Sequence, residues 1–173
     1  MAHDEQRMFC TSVQHIFPDK FHKVSVLDVG SLDINGNNRY LFTQSSYIGV
    51  DIGPGRNVDV VCRGHLYDNP EPFDVVISTE CFEHDEYYPE TIRNMYRLLK
   101  SGGLFLFTCA TEGRPEHGTT RTSPSDAPFV HDYYKNLTEQ DIRAVMNIEE
   151  HFSDYQFQTR QNPADLYFWG IKK

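Results

Sequence analysis

Apolar positions along the chain follow two rhythms, one helical and one extended. Residues 4–17 place Phe9, Val13, Ile16 and Phe17 at helical spacing, which predicts an amphipathic helix closed by Pro18. Short apolar runs separated by turn chemistry follow: VSVLDV (24–29), YIGVDI (47–52), VDVVC (58–62), FDVVIS (73–78) and LFLFT (104–108). Runs this short, rich in Val, Ile and Phe, read as strands buried on both faces, the pattern of a parallel sheet covered by helices. Residues 89–100 open with Pro89 and set Ile92, Met95, Tyr96 and Leu99 on one stripe, a helix that Ser101-Gly102-Gly103 stops. Thr138 fits a helix N-cap, with Asp141 three residues on and Leu137 set to pack on Ile142. That helix turns Ile142, Val145 and Met146 inward. The last two runs, 152–159 and 165–172, alternate more strictly and are parted by Asn162-Pro163, as in an antiparallel hairpin. The prediction is an α/β fold: a doubly wound, mostly parallel sheet of seven strands with a C-terminal antiparallel hairpin, in three α/β/α layers.

Composition narrows this picture without changing it. A chain of 173 residues fits one domain spanning 1–173, and 13% aromatic residues place it clear of disordered compositions. No apolar run nears the ~20 residues of a membrane helix. The first twenty residues lack the apolar core of a secretion signal, so a cytoplasmic location and no membrane partner are expected. The formal charge of −9 repels phosphate backbones, which argues against nucleic acid as a partner. Cys10, Cys62, Cys81 and Cys109 are scattered without a C-x-x-C pair and read as reduced, structural thiols. The oligomeric state stays open.

In doubly wound sheets, ligands bind beyond the carboxyl ends of the strands, where strand order reverses. After the first run comes DVGSLDING (28–36), in which Gly30 allows a sharp backbone turn. This is not the complete G-x-G-x-x-G of dinucleotide sites. The second run ends at Asp51, about twenty residues on, where a carboxylate can accept both hydroxyls of a ribose. The fourth ends in Ser78-Thr79-Glu80, small polar residues suited to an amino or carboxylate group, followed by CFEH (81–84).

The series VLDVG, YIGVDI, FDVVIS-TECFEH and RLLKSGGLFLFT, over roughly residues 24–110, resembles the class I S-adenosylmethionine-dependent methyltransferases. The resemblance implies a Rossmann-like fold with S-adenosyl-L-methionine as cofactor. It implies that Asp28, Gly30 and Leu32 lie by the methionine portion and that Asp51, with Ile52, holds the ribose side. Gly64 and His65 would lie by the adenine, and Ser78 and Thr79 would flank the methionine end. The family's glycine loop usually reads G-x-G. Here Leu32 stands at the second glycine, and the longer loop through Asn35-Gly36-Asn37 is expected to supply the turn.

The stretch 110–136 is long for a connection and should overhang the methyl group. His117 and His131 are its candidate general bases, with His117 ranked first. Arg121, Tyr133, Tyr134 and His84 are candidate contacts to a small-molecule acceptor. The combination His117, His131, Asp132 and Glu112 matches no standard zinc spacing, so no metal is expected. The reading is O-methylation of a small polar metabolite or sugar. Its rivals are a nicotinamide-dependent dehydrogenase on the same sheet and a non-catalytic nucleoside- or partner-binding domain.

Overall fold

A computed structural model describes residues 3–173. The elements are α1 (Asp4–Ile16), β1 (Ser25–Val29), β2 (Ser46–Asp51), β3 (Val60–Val61), β4 (Phe73–Thr79), α2 (Tyr88–Arg97), β5 (Leu99–Ala110), α3 (Glu139–Val145), α4 (Ile148–His151), β6 (Phe152–Gln161) and β7 (Ala164–Lys172). They build a seven-stranded sheet in the order β3-β2-β1-β4-β5-β7-β6. β1 pairs in parallel with both β2 and β4, β4 in parallel with β5, and β7 runs antiparallel to β5 and β6. Strand order reverses between β1 and β4, so their carboxyl ends flank the crevice where ligands bind in such sheets.

Period-two alternation along β5 explains why the sheet is covered twice. Phe105, Phe107 and Cys109 belong to one core, with Phe82, Ile92, Met95, Leu137 and Ile142. Leu104 and Leu106 face the other core, with Phe9, Cys10 and Val13 of α1 and with Tyr167 and Trp169. The His3 ring sits at the N-cap of α1 with Nδ1 3.2 Å from the Gln6 amide nitrogen, and the Phe9 ring stacks on Tyr167 at 4.7 Å. α3 opens with the expected capping box: Thr138 accepts from the Asp141 amide and Asp141 from the Thr138 amide. Leu137 and Ile142 are both buried beside it.

Two expectations fail for local reasons. The third run is reduced to the pair Val60–Val61 at the sheet edge, both exposed rather than buried on two faces. The residue before it, Asp59, is drawn out of strand packing because its carboxylate accepts from the Gly49 amide at 2.7 Å and pairs with Arg39. The 89–100 helix ends at Arg97, and Leu99 already pairs with Phe73 as the first residue of β5. The Ser101-Gly102-Gly103 turn is therefore an irregularity inside the strand pairing, with Gly102 at φ +74°. Among the described residues, no helix is long and apolar enough to cross a membrane.

Candidate active site

A cavity of about 320 Å3 opens at the carboxyl ends of β1, β2 and β4, within the range of small-molecule pockets. Its floor is the turn after β1. Gly30 sits at φ +78°, and a Cβ placed there would lie 2.4 Å from Cys81 Sγ, so the β1 and β4 loops touch where only glycine fits. The loop beyond is tied by its own side chains. Asp33 accepts from the Gly36 amide at 2.7 Å and from the Asn37 side chain at 2.9 Å, and Arg56 pairs with it at 3.2 Å. Leu32 takes the second glycine position because its side chain lies over Gly55, where a Cβ would meet Leu32 Cδ1 at 2.3 Å. Leu32, Ile34, Gly36 and Asn38 all line the cavity.

Two carboxylates serve this floor. Asp28 is buried; Tyr47 donates to its Oδ2, and the Asn38 amide bridges from Asp28 to Thr79 Oγ1 at 3.0 Å. Burial pushes the Asp28 carboxyl up to about 6, against the pull of those donors. Its Oδ1 finds no partner among the described residues. Asp51 ends β2, with Oδ2 accepting from the Leu32 amide at 3.0 Å and Oδ1 from the Gly53 amide at 3.2 Å. Burial raises its pKa and the backbone amides oppose the rise. Each Asp51 oxygen thus uses one lone pair on the backbone and keeps acceptor capacity for a diol.

The long connection after β5 folds over the cavity. Asp126, Phe129, His131 and Tyr133 line it from above, and the Phe129 ring rests against Gly53, where a Cβ would lie 1.9 Å from the ring. Phe129 escaped the sequence reading; its signal is the Gly53-Pro54-Gly55 stretch, where missing side chains leave room for a ring.

The structure brings together part of the predicted set. Asp28, Gly30, Leu32, Asp51, Ile52, Gly64, Thr79, His84, His131 and Tyr133 line the cavity. His65 does not: its ring packs on Tyr87 at 4.4 Å, and Cys62 and Arg63 line the wall instead. Ser78 is fully buried within β4, one residue short of the rim. Arg121 points to solvent, paired with Glu116 at 2.9 Å. His117 and Tyr134 sit behind the wall rather than on it. The His117 ring lies 4.9 Å from His84 and 5.0 Å from Tyr134, and burial lowers its pKa.

A second polar cluster joins α1 to the sheet. His3 Nε2 lies 3.0 Å from Asp165, Arg114 pairs with the same carboxylate, and Thr108 donates to Glu80 at 2.9 Å. Burial pulls His3 down, but its bonds to Asp165 and Glu80 outweigh it and raise the imidazole to about 9.

A family model described as a methyltransferase domain matches residues 1–156. No curated protein sequence matches the chain. Among similar solved structures is Burkholderia thailandensis 1,6-didemethyltoxoflavin-N1-methyltransferase with bound 1,6-didemethyltoxoflavin and S-adenosylhomocysteine. It is 17% identical, with TM-score 0.66 over 97% of this chain and 78% of that one. Bradyrhizobium japonicum N-methyltransferase NodS in complex with S-adenosyl-L-homocysteine is 13% identical, with TM-score 0.64 over 96% and 86%. Synechocystis magnesium protoporphyrin IX methyltransferase with bound S-adenosylmethionine is 13% identical, with TM-score 0.65 over 98% and 80%. At these identities the likeness shows a shared fold.

Proposed function

The chain belongs to the methyltransferase-domain family, and we propose that it transfers a methyl group from S-adenosyl-L-methionine to a hydroxyl of a small polar metabolite or sugar. The observation that carries this reading is the pairing of two carboxylates on one cavity floor. Asp51 keeps acceptor capacity on both oxygens, and Asp28 carries an orphaned, buried oxygen that a cationic amino group would satisfy. The residues therefore fit the cofactor: Asp51 for the ribose, Asp28 for the methionine amino group, Ile52 and Phe129 for the apolar sides of the nucleoside. When bound, the cofactor supplies an electrophilic methyl group for in-line displacement.

The chain's own residues then align the acceptor and move its proton. His131 and Tyr133 reach the cavity from the loop and are assigned to the acceptor, with His131 as the base that takes the hydroxyl proton. The loop covering the cavity also keeps water from the reacting centre. Two of the similar structures are named for transfer to nitrogen, which makes an amine acceptor the second reading.

Calorimetric titration with S-adenosylhomocysteine tests the site. Asp51→Ala should weaken binding at least tenfold with the fold intact, since hydrogen bonds to a charged group contribute about 1.5–3 kcal/mol each. Unchanged affinity would place the ribose elsewhere, and preferential binding of NADH would favour a dehydrogenase. Methyl-labelled cofactor with a panel of sugars and amines then separates oxygen from nitrogen transfer. Cofactor binding without turnover on any acceptor would favour a binding domain.

A further inference from the structure

Behind the cavity wall lies a cluster that the methyl-transfer reading does not use. Glu83 follows β4 and is fully buried, yet neither of its carboxylate oxygens has a hydrogen-bond partner among the described residues. Among the described residues, its neighbour His84, 8% exposed, has neither ring nitrogen bonded, and His117, also 8% exposed, offers an unbonded Nε2. One ligand atom from each residue can be chosen so that all lie within 4.8 Å of one another. Buried polar groups are almost always hydrogen-bonded, so this concentration of orphans needs a cause.

We propose that Glu83, His84 and His117 form a binding site for a divalent transition-metal ion of the Zn2+ or Fe2+ type. Two imidazoles and one carboxylate are a donor set for such ions, whereas Mg2+ and Ca2+ take oxygen ligands. The histidine orientation agrees. His117 Nδ1 lies 3.1 Å from the Pro115 carbonyl, which fixes the proton on Nδ1 and leaves the Nε2 lone pair facing the cluster. Metal-binding histidines are commonly held by such a bond on the ring nitrogen away from the ion. Tetrahedral sites with bonds of about 2.0–2.2 Å set ligand atoms roughly 3.3 Å apart, so binding would draw the three side chains together.

The neighbouring His3–Glu80–Asp165 group supplies a contrast. It has the same kinds of residue, but His3 and Arg114 already provide cations at bonding distance. An ion there would have to displace them. Among the described residues no cation lies at bonding distance in the Glu83 site, and its residues come from two elements: Glu83 and His84 from the β4 loop, His117 from the connection after β5. The ion would clip that connection to the sheet, one side chain behind the cavity wall that His84 lines.

The test is titration of chelator-stripped protein with Co2+ and Zn2+. One equivalent should bind, with visible Co2+ d–d absorption. Glu83→Gln and His117→Ala should each weaken binding at least 30-fold, while His3→Gln leaves it unchanged. No binding, or equal binding in all variants, overturns the site. Should either variant misfold by circular dichroism, Co2+ broadening of the ring resonances of His84 and His117 in the unaltered protein decides. Broadening at those two histidines supports the site, and broadening at others overturns it. S-adenosylhomocysteine titrated into the same samples keeps the two readings apart, because neither Glu83 nor His117, the two residues varied, lines the cavity.

Discussion

Gly30 offers the sharpest test of how the cavity floor is built. The structure gives two separate reasons for glycine there, and they can be measured apart. Its φ of +78° would cost a side chain roughly 1–2 kcal/mol in backbone strain. A Cβ would also lie 2.4 Å from Cys81 Sγ and 2.5 Å from Cys81 Cβ. The Cys81 Cβ is fixed to the backbone after β4 and cannot swing away, so relief needs backbone movement, an overpacking cost of about 1–3 kcal/mol. Gly30→Ala should therefore destabilise by about 2–5 kcal/mol, which for a domain of this size lowers Tm by something near 10 °C. Cys81→Gly removes the atoms that clash and leaves the dihedral strain. In a double-mutant cycle read by thermal denaturation, Gly30→Ala should cost about 1–3 kcal/mol less in the Cys81→Gly background. If the Gly30→Ala protein melts within 1 °C of the original, the turn tolerates a side chain and the contact has been misread. If the cost is the same in both backgrounds, backbone strain alone demands glycine, and the β1 and β4 loops are not locked together by this contact.

Two further outcomes follow from the loop and from α1. His131→Ala should lower turnover by about 10²–10⁴-fold with unchanged S-adenosylhomocysteine affinity, and a loss of cofactor affinity instead would make His131 part of the nucleoside site. His3, raised from 6.5 to about 9, contributes stability that is complete below pH 6.5 and lost as pH climbs through 9. Because the side chain is partly solvated, the effect should be about 1–2 kcal/mol; the Tm gap between the original protein and His3→Gln should narrow between pH 6 and 10, and a gap that widens would refute the ion pairs.

The sheet was legible because its evidence is local. β1, β4 and β5 are buried on both faces, and an unbroken apolar run is what such a strand requires. The capping box at Thr138 was legible for the same reason, since all its atoms lie within four residues. β3 was misjudged because Val60 and Val61 have strand chemistry but stand exposed at the sheet edge, and burial is a property of neighbours that a short run cannot report. Leu99 was assigned to a helix because its spacing continues the stripe of Ile92 and Met95. Its pairing with Phe73 comes from a strand 26 positions earlier and won over the local rhythm. Asp51 lines the cavity because strand-end acids have a fixed place in this topology.

The histidines show where local reading ends. His84 and His117 were each singled out, one as an acceptor contact and the other as a base, yet their shared position depends on how residues 110–136 fold back. That return is set at Gly118, with φ +68°, where a Cβ would stand 2.7 Å from His84 Cε1 and 2.8 Å from Ala127 Cβ. The close approach of the connection to the β4 loop is what buries His117, and burial is what removes it from the cavity wall. A glycine beside a histidine suggests freedom when read along the chain. In three dimensions it means the reverse, since the missing side chain is the space that lets two imidazoles meet. Among the described residues the Glu83 carboxylate has no hydrogen-bond partner, so the packing that takes His117 off the cavity wall is the packing that sets it beside Glu83 and His84.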